Sequence, residues 1–265
     1  MTTPRRNFVR HFLHEPATFG LSLLGFVGLW WALALLKADP QVLPAPPEVM
    51  ADIVKEAQSG DLAYHMLATL RRVILAFGVA MVAGAAIGLL LGRRPGLARW
   101  LDPWVTVLLN LPALVIIVLC YLWIGLNETA AITAVALNKT AMVVVSVREG
   151  VRSVDPALDE MGRLFRMGPV ARLRHILLPQ LAPFIAASAR NGLAVIWKIV
   201  LVVEFLGRSS GVGFQIHLYF QLFDVAMVLA YALSFVAVML LVELLLIQPL
   251  EARAGAWRRR AAPAV

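Results

Sequence analysis

The chain has 265 residues, of which 60% are apolar and only 15% charged, with a mean hydropathy of +0.79. Soluble globular chains carry about 25% charged residues, so this composition excludes one. The single cysteine, Cys120, excludes an intrachain disulfide framework and a cysteine-based zinc site. A formal net charge of +8 and a pI near 10.4 would suit nucleic acid, but the placement of the charges argues against that partner and for a lipid bilayer.

A helix that crosses a membrane needs roughly 20 mainly apolar residues, and six stretches approach that length. Residues 19–36 and 73–92 carry no charge. Residues 103–127 are also uncharged but interrupted by Pro112, and 129–147 hold only Lys139. Residues 181–206 carry Arg190, Lys198 and Glu204, and 225–250 carry Glu243. The turn at Asn127-Glu128 predicts an antiparallel hairpin of the third and fourth spans. The fold class expected is an all-α integral membrane protein of about six spans.

Orientation follows from the connecting segments, because cytoplasmic loops retain positive charge. Alternate segments hold sixteen Lys and Arg, among them Arg5, Arg6 and Arg10, Arg93, Arg94 and Arg99, six arginines between Arg148 and Arg174, and Arg253 with Arg258, Arg259 and Arg260. The opposite set holds Lys37, Lys55 and Arg208, and residues 37–64 are mainly acidic. Both termini are therefore expected in the cytoplasm. Arg71 and Arg72 break the pattern at the outer mouth of the second span and are expected to snorkel to the interface. Arg5-Arg6 before an apolar stretch resembles a secretory signal. Its length and the Trp30-Trp31 pair favour an uncleaved anchor.

Within the second span Ala76, Ala80, Gly84, Gly88 and Gly92 fall on one helix face, a surface for close helix packing inside the chain or between two copies. Intramembrane charges are costly and normally paired or turned to water. Lys198 and Glu204, six residues apart, do not share a helix face, so Lys139 is the candidate partner of Glu204. The functional alternative places Lys139, Lys198 and Glu204 along a pathway that draws an anion through the membrane.

Residues 148–180 form the longest cytoplasmic connection. Asp155-Pro156 reads as a helix start, with Asp as N-cap and Pro at the first position. Leu158, Met161 and Leu164-Phe165 then recur at helical spacing, and Gly168-Pro169 breaks the chain. A second short helix carries Val170, Leu173 and Ile176-Leu177 on one side, Arg172 and Arg174 on another, and is expected to stop before Pro179. Two such helices suit docking into a partner's groove or lying on anionic lipid.

The same loop carries a recognisable pattern. Glu160 stands nineteen residues before Pro179, and Ile176-Leu177-Leu178-Pro179 closes the segment. Leu43-Pro44-Ala45-Pro46, Leu70-Arg71-Arg72-Val73, Leu111-Pro112-Ala113, Trp123-Ile124-Gly125, Glu204-Phe205-Leu206-Gly207 and Gly211-Val212-Gly213 accompany it. Over roughly residues 43–250 the chain resembles the permease subunit of bacterial ATP-binding-cassette importers of the nitrate/sulfonate/taurine type. That family's loop signature begins Glu-Ala-Ala and places Gly six residues after the Glu. Here Met161-Gly162 follow Glu160, Arg166 occupies the Gly position, and Gly168 lies two further on.

The resemblance implies a five-helix type I permease core with one added N-terminal helix. The layout is a cytoplasmic tail (1–18), that helix (19–36), a periplasmic loop (37–64), the core (65–250, coupling loop 148–180) and a basic tail (251–265). It implies a bacterial inner-membrane location, a second permease copy, a periplasmic binding protein and a separate ATPase holding ATP and Mg. The chain itself would bind no cofactor or metal and catalyse nothing. It lacks a Gly-rich phosphate loop ending in Lys-Ser/Thr. Asp155, Glu160, Gly168, Leu173 and Pro179 would couple to the ATPase, and Gly84, Gly88 and Gly92 would pack helices. A small anion is the substrate class favoured by three intramembrane cations against two carboxylates. The competing reading is an ion-gradient-driven secondary transporter using Lys139, Lys198 and Glu204.

Overall fold

A computed structural model describes residues 16–247. The expected tails at 1–18 and 251–265 lie outside it, apart from the first residues of helix α1, as do residues 248–250 of the last expected span. Among the described residues all regular structure is helical. In chain order the elements are α1 (Pro16–Lys37), α2 (Pro46–Ser59), α3 (Asp61–Arg93), α4 (Pro95–Asn110), α5 (Ala113–Ile124), α6 (Glu128–Arg152), α7 (Pro156–Leu164), α8 (Pro169–Arg172), α9 (Leu178–Gly207), α10 (Val212–Gln221) and α11 (Val225–Val242). Two π-helical turns, Leu173–Leu177 and Glu243–Ile247, join α8 to α9 and extend α11.

Among the described residues five stretches are long and apolar enough to cross a membrane, Gly20–Lys37, Asp61–Arg93, Glu128–Arg152, Pro169–Gly207 and Val225–Leu245, and a bent helix pair makes a sixth when taken as one broken span. The span expected at 103–127 is broken into two helices, α4 and α5, bent by 101°. The cause is Leu111-Pro112. Proline supplies no N–H and forces its predecessor out of the helical region, and Leu111 is extended at φ −69°, ψ 128°. The hairpin expected at Asn127-Glu128 forms between α5 and α6. Gly125 at φ 95° turns the chain, and the Asn127 side chain caps α6 by accepting the Ala130 N–H at 2.8 Å.

The described chain divides into two compact units. The first comprises residues 16–62 and 218–234. Within it the Trp30 indole N–H donates to the Pro44 carbonyl (3.1 Å), and the Tyr231 hydroxyl donates to Glu56 Oε2 (2.5 Å). The segment expected as a loop at 37–64 contains α2, whose first turn is tied by the Ala45 N–H donating to Glu48 Oε2 (3.0 Å) and which ends at Gly60 in the left-handed region (φ 89°).

The second unit comprises residues 63–217 and 235–247, and α6 lies at its centre, packed against α4, α5 and α9. One apolar cluster joins Leu91 of α3 and Ala98 and Val105 of α4 to Ala141 and Val144 of α6. Another joins Val143 and Val147 of α6 to Leu177 of the π turn and Leu181 of α9. Buried Cys120 sits on α5. The small-residue face of α3 lies directly on α6. A Cβ on Gly84 would come 2.5 Å from Val143 Cβ, one on Gly88 2.7 Å from the Val144 carbonyl oxygen, and one on Gly92 2.5 Å from Val151 Cβ. Only hydrogen at these positions lets the two backbones come this close, where dispersion replaces the hydrophobic drive that lipid cannot supply.

Candidate functional site

The end of the second unit where α3 and α6 begin and α9 finishes carries a buried charge network. Glu204 is wholly buried on α9, and Arg72 on α3 is 4% exposed. Arg72 Nη1 donates to Glu204 Oε1 (2.6 Å) and to the Ser210 carbonyl (2.6 Å). Its Nε and Nη2 grip Glu128 in a fork at 2.9 and 2.6 Å, and Nη2 also reaches Ser210 Oγ at 2.7 Å. Arg208 donates to the same Glu128 (2.8 Å) and to the Leu126 carbonyl (3.0 Å). Two arginines thus face two carboxylates, with every charge hydrogen-bonded, the condition under which buried ions are tolerable.

The turn after α9 completes the network from above. Gly211 N–H donates to His65 Nδ1 (3.0 Å), Val212 N–H to Thr69 Oγ1 (2.8 Å) and Gly213 N–H to Glu204 Oε2 (2.9 Å). Thr69 Oγ1 also donates to Glu204 Oε2 (2.9 Å), and the second ring nitrogen of His65 meets the Gln215 amide (2.6 Å). Gly211 is required twice over. Its φ is +109°, and a Cβ would collide with the Glu204 carboxylate. A cavity of about 280 Å³ opens beside the network, with Tyr64, Arg71, Arg72, Glu128 and Ser210 in its wall.

This arrangement corrects two expectations. Arg72 does not snorkel; it is the partner of Glu204. Lys139 is not that partner. It lies eleven residues along α6 from Glu128, about 16 Å at 1.5 Å per residue, beyond the reach of its side chain. Its ammonium meets Met142 Sδ (2.7 Å) and, among the described residues, no carboxylate. The Lys139 stem crosses Gly192 of α9, where a Cβ would stand 2.6 Å from Lys139 Cε. Lys198 is exposed on α9. Lys139, Lys198 and Glu204 therefore do not form one constellation. The signal for Arg72 was available in depth: Arg72, Glu128, Glu204 and Arg208 all fall at the same expected ends of their spans.

At the opposite end, residues 155–179 fold as expected at their start. Asp155 caps α7, its carboxylate accepting the Ala157 N–H (2.9 Å), with Pro156 at the first position. Glu160 is exposed. The helix ends in a paired closure: Met167 N–H donates to the Gly162 carbonyl and Arg166 N–H to that of Arg163, both at 2.9 Å. The left-handed residue in that closure is Arg166 (φ 50°), the position where the resemblance expects Gly. Gly168, by contrast, is an extended N-cap of α8 (φ −63°), with open space where a Cβ would stand. The turn has stayed at residue 166.

The second short helix does not stop before Pro179. It runs through the π turn into α9, and Pro179 sits in the first turn of α9. A π turn bonds five residues back and widens the helix, which accommodates a ring that would strike the carbonyl four residues earlier. Gln180 locks the joint, its Oε1 accepting the Asp155 N–H and its Nε2 donating to the Ile176 carbonyl, both at 3.1 Å. Leu173, Ile176 and Leu177 turn inward to the α6–α9 core. Leu164, Phe165 and Val170 are each more than two-thirds exposed. The outward apolar surface therefore comes from the end of α7 and the start of α8.

Apolar helices with a neutralised charge network at one end, and a pair of short amphipathic helices presented at the other, are the build of a membrane-transport subunit and offer no catalytic constellation among the described residues. The chain belongs to the family of binding-protein-dependent transport system inner membrane components, whose pattern matches residues 76–247. It is 31% identical over 219 residues to the putative aliphatic sulfonates transport permease protein SsuC of Escherichia coli (strain K12), covering 81% of this chain and 80% of that one. It is 28% identical over 194 residues to the taurine transport system permease protein TauC of the same organism, covering 71% and 70%. A chain of the MetNI methionine ABC transporter, in an inward-facing crystal form, shares the fold with a TM-score of 0.62 at 19% identity, over 75% of this chain and 96% of that one. The protein is thus a multi-pass ABC importer permease.

Proposed function

We propose that this permease forms the pathway for a small oxyanion, an organosulfonate or a solute of similar size and charge, and that a periplasmic binding protein delivers it. The single observation that carries the substrate class is the 31% identity, across four-fifths of both chains, to a permease named for aliphatic sulfonates. Lys139, buried in α6 with no carboxylate partner among the described residues, adds a cation at membrane depth that suits an anionic cargo.

Residues 148–180 act as the coupling loop. A separate ATPase, holding ATP and Mg, seats on the exposed Leu164, Phe165 and Val170, while Asp155, Glu160, Gly168 and Pro179 set the helix geometry and Leu173 anchors the loop to the core. ATP closure at that face and the loaded receptor at the other bias a two-state movement of the spans. The termini and the coupling loop face the cytoplasm of a bacterial inner membrane, and two copies enclose the pathway, with 65–250 as the core of each.

The test is purification of the tagged chain from mild detergent with its neighbouring gene products, followed by ATPase assay and uptake of radiolabelled taurine or an alkanesulfonate. An ATPase that copurifies and is lost on altering 155–179, with uptake that depends on ATP, supports the reading. Uptake driven by an ion gradient with no ATPase attached overturns it.

A further inference from the structure

The turn that follows α9 is fastened by a histidine. His65 of α3 is buried, Tyr64 meets its ring edge-on (5.0 Å, 83°) and Phe214 of α10 stacks on it (6.0 Å, 30°). Its Nδ1 accepts the Gly211 N–H at 3.0 Å and so carries no proton. A neutral ring then carries its proton on Nε2, which meets the Gln215 amide at 2.6 Å. The Gln215 Oε1 is buried and has no bond of its own. A half-turn of the amide lets that oxygen accept Nε2–H, which satisfies both groups at once. The bonds therefore select one species, the uncharged Nε2–H imidazole.

An imidazolium cannot take the same place. Both of its nitrogens are donors, so Nδ1–H would face the Gly211 N–H inside a buried space, and Gly211 has no side chain to replace the lost bond. The same turn carries Val212 N–H to Thr69 Oγ1 and Gly213 N–H to Glu204 Oε2, while Ser210 takes two bonds from Arg72. The ionisable groups of the elements that meet here are Tyr64, Arg72 and the exposed Asp61 and Arg71 on α3, Glu128 at the start of α6, Glu204 near the end of α9, Arg208 in the turn and His217 on α10. Arg72 and Arg208 already hold Glu128 and Glu204, and Asp61 accepts the Ser59 hydroxyl at 3.0 Å.

We propose that His65 is a proton-operated latch on the 208–213 turn. Neutral, it closes the turn over the charge network. Protonated, it releases Gly211, and the turn lifts from Glu204 and Arg72 and widens the cavity of about 280 Å³ that Ser210 helps to wall. The closed form holds a neutral ring, whereas the open form frees an imidazole that takes a proton below about pH 6.5. Closure is therefore complete above that pH and falls by about ten-fold for each unit below it. That this end meets the outside pH rests on the orientation proposed above; the latch itself does not.

The experiment is hydrogen exchange, read by mass spectrometry on the purified full chain in detergent at about pH 8 and about pH 5, each rate being divided by the intrinsic rate at that pH. Protection across residues 208–214 is expected to fall at least ten-fold at the lower pH, while residues 141–147 of α6 change less than two-fold. His65→Gln, which cannot titrate in this range, should abolish the response. Gln215→Glu places a carboxylate against Nε2 and favours the charged ring, so the midpoint should move to higher pH by at least half a unit. Nitrogen-15 spectra of the ring give an independent reading: the His65 signal, identified by its loss in His65→Gln, should be that of the Nε2–H tautomer at about pH 8. A response that survives in His65→Gln, an Nδ1–H tautomer, or an equal loss of protection in α6 overturns the proposal. Should His65→Gln not yield a folded chain, Gln215→Glu decides, and a midpoint that stays in place or moves to lower pH overturns the latch. Because this readout needs neither ATPase nor bilayer, a working latch with uptake indifferent to outside pH would remove the link to the proposed orientation and leave the latch standing.

Discussion

The two ends of the second unit solve opposite problems. Around Arg72 and Glu204 the charges are balanced two against two, Arg72 and Glu204 buried and Glu128 half-exposed, and nearly every polar group has a partner within 3 Å. Around Glu160 the chain presents bare apolar side chains, a clustered excess of arginine and a left-handed non-glycine residue. A region that has satisfied its own bonds has little left to offer a partner. The loop end instead leaves Leu164, Phe165 and Val170 in the open, which is why we propose coupling there and rigidity at the network.

Breaking the network should produce the largest effect. Arg72→Ala leaves Glu204 buried without its cation, a change that costs about 3–5 kcal/mol; thermal unfolding in detergent should show a strongly lowered midpoint, and Arg72→Ala/Glu204→Ala should recover part of it. If the double variant is no more stable than the single, the pair is not what holds this end. Next in size is Gly88→Leu, which forces a side chain into the Val144 and Val147 backbone surface; overpacking costs about 1–3 kcal/mol, read by the same melt.

The loop end should answer in function and hardly in stability. Arg166→Gly relieves a left-handed residue and should gain about 1 kcal/mol in local stability, seen as slower amide exchange at Met167. Glu160→Ala should leave the melting midpoint and membrane insertion unchanged while reducing uptake at least ten-fold. Phe165→Ser should likewise spare the melt but reduce the ATPase recovered with the tagged chain. A lowered midpoint in either variant would place these side chains in the fold and not at an interface.

Spans, hairpin and helix caps were legible because each rests on local rules: apolar length, Asp155-Pro156, Asn127. The 101° break at Leu111-Pro112 was visible as a proline but not as an angle, since the bend depends on what α4 packs against. Charge sign alone pairs Lys139 with Glu204, whereas axial distance along α6 separates them. A run of two arginines at a span end looks solvated, and only the third dimension separates exposed Arg71 from buried Arg72. The left-handed turn falls at Arg166 and not at the nearby Gly168, because the closure of α7 is fixed by hydrogen bonds from residues 166 and 167.

Cys120 has a practical corollary. It is the sole thiol of the chain and is buried on α5, so reagents that reach only water-exposed sulfur should find the native protein nearly silent. A cysteine introduced at Leu164 or Val170 would then report alone, and its labelling rate with and without nucleotide would time the arrival and departure of whatever covers that surface.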